Sequence, residues 1–314
     1  MKSTISIIIN KGSGTEQGRD PVDDLAGRLD AAGLKATIEL AGSGEEITRL
    51  AKRALAEGCG MIVAGGGDGT INAVASLVAG TETVLGVLPF GTLNHFAKDL
   101  GIPPDLDQAV DVLANGSARL VDVGEVNGRI FLNNSSIGLY PNIVRHREMQ
   151  QERLGRSKWL ALTWATMTML GRYPRFNVRI TADGEKMERE TPLVFIGNNR
   201  YDIDGFDIGT RSELDSGMLS LFVPHDAGRA TLFWLALRGL VGTLRQADQF
   251  DAIAVSEACI ETGRGKVDVA VDGEVISLDT PLDYRIRPKA LKVMAPADGA
   301  HEHAVTVGKV AALG

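Results

Sequence analysis

Cysteine is scarce in this chain: two residues in 314, Cys59 and Cys259, with no C-x-x-C and no paired framework. That excludes a disulfide scaffold, favours a reducing compartment and reads both as small core hydrophobes. Positive charge is also short, with 33 Lys and Arg against 40 Asp and Glu and a net charge of −7, so no global basic field exists to hold nucleic acid. Long apolar runs are missing as well. The best candidate, "WLALTWATMTML" (159–170), falls short of the roughly 20 residues of a membrane helix. The opening "MKSTISIIINKGSG" has too short an apolar run for a signal peptide and no small-residue cleavage pattern. The expectation is a cytoplasmic protein, with peripheral contact at the inner face of the membrane left open. What is there is ordinary globular composition, 44% apolar and 23% charged, in a length that fits about two domains.

The first 125 residues alternate short apolar strands with helical patterns. "ISIIIN" (5–10) precedes "PVDDLAGRLDAAG", and "KATIEL" (35–40) precedes "GEEITRLAKRALAEG", where Ile47, Leu50, Ala51, Ala54 and Leu55 mark one face. "MIVA" precedes "TINAVASLVAG", and "VLGVLP" precedes "GTLNHFAKDLG" and then "DLDQAVDVLANG". This alternation predicts a parallel sheet covered on both faces, with ligands at the carboxyl ends of its strands. Beyond residue 125 the signals are hairpins: Asn127-Gly128, Asp183-Gly184 and Asp272-Gly273, each between alternating apolar positions. The second half therefore reads as an antiparallel β domain, 126–295, interrupted by apolar helical stretches near 157–171 and 229–245. Residues 296–314 read as a loosely attached tail.

Chemistry concentrates in the turns of the first half. "VAGGGDGTINAVA" (63–75) puts Gly65, Gly66, Gly67 and Gly69 between a strand and a helix, yet contains Asp68 and no lysine. It is neither G-x-x-x-x-G-K-[ST] nor G-x-G-x-x-G. Read physically, the glycines let backbone approach a ligand and the helix start points N–H groups at it. The bland alternative is a tight turn in which Asp68 or Thr70 caps the helix. "LPFGTLNHFAKDLG" (88–101) follows the next strand and again places Gly91, Thr92 and Asn94 at a helix start, and "NKGSG" (10–14) supplies a third glycine-bearing strand end. Three such turns at one sheet edge predict a nucleotide phosphate site built from Asn10, Gly65, Gly66, Gly67, Asp68, Gly69, Thr70, Gly91, Thr92 and Asn94.

"GGGDGTINAVA" followed by "LPFGTLNHFAKDLGIP" resembles the diacylglycerol kinase and sphingosine kinase family of lipid kinases in its soluble bacterial form. The G-G-D-G-T loop is shared with NAD kinases; the P-x-G-T-x-N-x-F-A loop separates the lipid kinases. The resemblance implies a doubly wound, NAD-kinase-like α/β nucleotide-binding domain, an antiparallel β-sandwich after it, and an ATP site in the cleft between them. It implies that residues 66–70 hold ATP phosphates and Mg²⁺, that Thr92 touches the nucleotide, and that Asp122 matches an acid at the end of the first domain. Glu274 matches the catalytic base, with Asp272 two residues before it. Two positions depart from the pattern. His95 stands where the family has Asp, and Ser216 replaces the aspartate before Gly217 that ligates a structural Mg²⁺, leaving Asp215 as the candidate ligand.

Phosphoryl transfer to an alcohol needs held phosphates, neutralised charge and an acceptor deprotonated late. Mg²⁺ and helix N-termini can replace the missing lysine, which gives Asp68 a role in organising metal. "DGE" occurs at 183–185 and again at 272–274; the second lies between apolar strands, which favours Glu274 as general base over Glu185. On the acceptor side, seven Lys and Arg between Arg145 and Arg175 against Glu148 and Glu152, with Trp159 and Trp164 inside, read either as a surface for an anionic bilayer or as a core helix with a solvated flank. "ATLFWLALRGLVGTL" (230–244) is a second apolar candidate for an acyl-chain wall. The leading expectation is an ATP- and Mg²⁺-dependent lipid kinase. A kinase of a soluble acceptor such as NAD and a non-catalytic lipid-binding relative are the alternatives, and a homodimer is left open.

Overall fold

The computed structural model describes residues 4–13, 21–138, 175–200, 211, 213–224 and 250–297. The helical stretches expected near 157–171 and 229–245, and all of the basic segment except Arg175, lie outside the described residues. Two compact units emerge: Met1–Val121 together with Lys289–Gly314, and Asp122–Pro288. The sequence division at 125/126 falls inside a strand, Ser117–Val126, and the chain returns to the first unit at Lys289 within another, Leu282–Ala295. The first transition, at Val121–Asp122, has no Gly or Pro at the junction, whereas the second directly follows Pro288, at Lys289 with φ 52°.

In the first unit, β1 (Ile5–Asn10), β2 (Ala36–Ala41), β3 (Met61–Gly66) and β4 (Val84–Pro89) form a parallel sheet in the order β2-β1-β3-β4. The helices between them are α1 (Pro21–Ala31), α2 (Gly44–Ala56), α3 (Asp68–Val78), α4 (His95–Asp99) and α5 (Leu106–Asn115). α2 packs on α3, and α1 on α5. Every residue of β3 is buried, as a strand covered on both faces requires. The face expected for α2 is the buried one (Ile47, Leu50, Ala51, Ala54), while Leu55 is half-buried. From β1 the chain runs outward to β2 and then crosses back to β3 on the other side of β1. The carboxyl ends of β1 and β3 therefore flank a topological switch point, the place where open α/β sheets bind ligands.

The second unit holds β5 (Ser117–Val126, from Asp122 on), β6 (Arg129–Phe131), β7 (Asn134–Gly138), β8 (Phe176–Ala182), β9 (Glu185–Thr191), β10 (Leu193–Asn198), β11 (Leu219–Pro224), β12 (Phe250–Val255), β13 (Glu257–Thr262), β14 (Lys266–Val271), β15 (Glu274–Asp279) and the first half of β16 (Leu282–Ala295). One antiparallel sheet runs β12-β11-β10-β7-β14-β15, and the other contains β16, β13, β8 and β9. Their facing residues, among them Phe131, Ile137, Ile180, Ile196, Leu221 and Tyr284, make one core of a β-sandwich. All three expected Asn-Gly and Asp-Gly turns join paired strands with positive φ at both central residues, as two-residue hairpins require.

Candidate active site

The helix starts of the first unit are built in two ways. α2 is capped by Ser43, whose hydroxyl accepts the Glu46 N–H at 3.2 Å, while Glu46 Oε2 accepts the Gly42 N–H at 2.9 Å. α5 is capped by Asp105, which accepts the Gln108 N–H at 3.0 Å. α3, the helix after the glycine loop, has Gly67 at its N-cap and no side-chain cap. The capping role open to Asp68 or Thr70 is thus not what either does. The first N–H groups of an α-helix have no intrahelical acceptor, so those of Asp68, Gly69 and Thr70 present an anion site at the positive end of the dipole.

The neighbouring turns are fastened to this one. Asn10, last in β1, donates from Nδ2 to Thr70 Oγ1 at 3.2 Å and accepts the Gly12 N–H on Oδ1 at 3.0 Å. Gly67 and Gly91 meet backbone to backbone: a Cβ on Gly91 would lie 2.4 Å from Gly67 Cα and 2.6 Å from Asn94 Oδ1. Gly67 Cα is backbone and cannot swing aside, so the two loops close on each other only with glycine at position 91. Gly69 has the opposite surroundings. It is exposed, and nothing lies within 4 Å of where its Cβ would be. Glycine inside a helix costs about 1 kcal/mol relative to alanine, and no intramolecular contact here demands it.

Asp68 turns away from its own helix. Its Oδ1 accepts the Phe96 N–H at 3.3 Å, tying the first loop to the start of α4. Asn94, at the α4 N-cap with φ 49°, donates from Nδ2 to Pro89 O at 3.1 Å and Gly91 O at 2.7 Å. Two carbonyl partners fix which end of the amide is nitrogen. Asn94 Oδ1 is then a buried acceptor without a protein partner. Thr92 and His95 are exposed beside it. The Asp68–Phe96 bond was not legible beforehand, because a backbone donor 28 residues away leaves no residue-type signal.

In the second unit, Asp272 and Glu274 behave differently from one another. Asp272, at φ 47°, accepts the N–H groups of Leu132 (2.7 Å), Asn133 (2.8 Å) and Asn134 (3.0 Å), and its own N–H donates to Asn134 O. Glu274 opens β15 and is exposed. Of the two apolar strands around this turn, β14 is buried towards its end, but β15 is an edge strand that is half-exposed along its length, so apolar flanks do not here mean a buried hairpin. Asp122 is buried at 1% exposure and accepts the Gly217 N–H on Oδ2 at 2.7 Å. Asp215 is exposed, and the Ser216 N–H and hydroxyl both donate to Asn199 Oδ1 at 2.9 Å. The buried asparagines 133, 198 and 199 and Arg211 around them were not singled out from sequence; the one available signal was the Asn-Asn pair closing an apolar strand.

The thiols offer no chemistry. Burial raises the Cys59 thiol, and burial with Asp283 beside it pushes Cys259 up to about 11. Two hollows of about 500 and 520 Å³ in the second unit involve neither loop. In the first, Arg179 is already matched by Glu188 and Glu261.

Two family models match. Residues 4–126 match the diacylglycerol kinase catalytic domain, and 143–295 the YegS C-terminal NAD kinase beta sandwich-like domain. A diacylglycerol kinase of Bacillus subtilis is 32% identical over 241 residues, 75% of this chain and 78% of that one. The chain belongs to the diacylglycerol kinase family of lipid kinases. A Pseudomonas aeruginosa protein named "Probable lipid kinase YegS-like" is 29% identical over 298 residues, 90% of this chain and 92% of its own. A crystal structure of a diacylglycerol kinase from Bacillus anthracis superposes with a TM-score of 0.68 at 23% identity, covering 93% and 96% of the two chains, which supports the fold. The lipid kinase is therefore an enzyme with an N-terminal α/β domain and a C-terminal β-sandwich. Among its described residues no helix is long and apolar enough to cross a membrane.

Proposed function

We propose that this lipid kinase uses ATP and Mg²⁺ to phosphorylate a hydroxyl of diacylglycerol or a related lipid at the inner face of the membrane. The observation that carries the reading is the joined pair of glycine loops at the switch point of the first unit. Three features there fit a nucleoside triphosphate: the uncapped start of α3, the open space at Gly69, and the unpartnered Asn94 Oδ1. The N–H groups of residues 68–70 would hold phosphate, with Asn10 and Thr70 fixing the β1 and β3 turns against each other and Thr92 beside the nucleotide. Bound Mg²⁺-ATP supplies the phosphoryl group and the positive charge that a loop without lysine lacks. One carboxylate oxygen of Asp68 is engaged by Phe96, and the other is available to the metal, directly or through water.

Glu274 is the general base that accepts the proton of the lipid hydroxyl as the phosphoryl group arrives. Asp272 acts on Glu274 through the backbone: three N–H bonds hold the turn that Glu274 follows. The test is ADP release from Mg²⁺-ATP with detergent-dispersed diacylglycerol, other lipids, NAD, and buffer alone. Stimulation by a lipid is expected. Stimulation by NAD and by no lipid would overturn the reading.

A further inference from the structure

The family resemblance implies a structural Mg²⁺ beside residues 214–217, but the side chains of this chain are committed elsewhere. Asp215 is exposed, and Ser216, in the place of the ligating aspartate, gives its hydroxyl proton to Asn199 Oδ1. Asp122 Oδ2 is taken by the Gly217 N–H. Among the described residues no group of three His, Cys, Asp or Glu lies close enough together to hold a metal ion. A cation is nonetheless present, and it is covalently attached.

Arg211 is buried at 5% exposure. Its Nη1 donates to Leu132 O at 2.6 Å and to Asn198 O at 3.1 Å, and its Nη2 to Asn133 Oδ1 at 2.9 Å. The same acceptors belong to one node. Asn198 Nδ2 donates to Leu132 O (2.9 Å) and Asp122 O (3.1 Å), and Leu214 O accepts the Asp122 N–H at 2.8 Å. Asn199, fully buried at φ 67°, receives Ser216 on its side chain and the Ser220 hydroxyl on its carbonyl at 2.9 Å. Residues 211 and 213–220 are thus pinned through Arg211, Leu214, Ser216, Gly217 and Ser220. A guanidinium stays charged at any working pH and presents several N–H donors in a fixed plane, which suits a ring of carbonyl and amide oxygens. A divalent ion placed into that ring would meet a buried like charge at low dielectric.

We propose that Arg211 replaces the structural divalent cation, making this node metal-independent. Through Leu132 and Asn133 it also secures the segment on which Asp272 is anchored. The claim concerns folding of the second unit and stands whether or not the acceptor is a lipid.

The test uses the full chain without nucleotide. Bound divalent metal is measured by mass spectrometry after gel filtration, and thermal unfolding is followed in EDTA, in Mg²⁺ and in Ca²⁺. A structural ion present at 100 times its Kd would raise Tm by roughly 5–10 °C. The expectation is no retained equivalent and melting curves that superimpose. A retained equivalent of metal, or a Tm that falls in EDTA, would overturn the proposal on the wild-type chain alone. Arg211→Met should lower Tm sharply with no recovery in Mg²⁺, and recovery by Mg²⁺ would equally contradict the claim. Should that variant not fold, Ser216→Asp serves in its place: with Arg211 present it should gain no metal-dependent Tm.

Discussion

The two D-G-E hairpins of the second unit have nearly the same backbone: the aspartate is at φ 47° in both, and the glycine at 88° in one and 86° in the other. Each aspartate also turns its carboxylate onto backbone N–H groups of a neighbouring segment. Asp183 takes those of Ser256 (3.0 Å) and Glu257 (3.0 Å), and the Ser256 hydroxyl at 2.7 Å. Asp272 takes those of Leu132, Asn133 and Asn134. The difference lies in what receives them. Ser256 and Glu257 form an exposed junction between β12 and β13, whereas Leu132 and Asn133 are buried and are also held by Arg211. Both glutamates are exposed, so the tripeptide and its exposure do not separate a base from a surface acid. The anchoring of the turn differs: one hairpin is tied to a solvated corner, the other to buried residues that Arg211 also holds.

That contrast breaks most visibly in turnover. Glu274→Gln should lower lipid-dependent kcat by about 10²–10⁴-fold, the range for loss of a positioned base, while Glu185→Gln should match wild type. Equal effects in a steady-state comparison would remove the distinction. Stability comes next. Asp272→Ala strips three donors of a shared acceptor and should cost about 2–4 kcal/mol in urea unfolding. Asp183→Ala, at a solvated corner, should cost below about 1 kcal/mol. A reversed order would mean that the node around Leu132 is not tight.

The smallest effect is in pH. Partial burial works to raise the Asp183 carboxyl, but the hydrogen bonds from Ser256 and Glu257 outweigh it and hold the group below its ordinary 3.8. A lowered folded value means stability that is present above the unfolded value and lost as pH falls through the folded one. The wild type should therefore lose slightly more Tm than Asp183→Asn between about pH 5 and pH 2. Parallel curves would show that these bonds contribute nothing in solution.

The α/β unit was largely legible in the sequence because its elements are written in local signals. Hydrophobic period set β1 through β4 and the buried face of α2, and the Gly-rich turns fell at the carboxyl ends of β1, β3 and β4. The hairpins were equally legible, since Asn-Gly and Asp-Gly demand positive φ. What did not show was anything carried by backbone atoms or by strands that change unit without a break. The Asp68–Phe96 bond, the Gly67–Gly91 contact and the hold of Asp272 on residues 132–134 all join distant segments through N–H groups or Cα atoms. Arg211 was not singled out, because burial of a charge depends on a ring of carbonyls that no local pattern announces.

The most direct measurement follows the phosphoryl group itself. With γ-labelled ATP, Mg²⁺ and mixed micelles of diacylglycerol, wild type and Glu185→Gln should move label into the organic phase at equal rates, and Glu274→Gln should not. Label that stays in water with every lipid, or that moves as fast without the Glu274 carboxylate, would contradict the account.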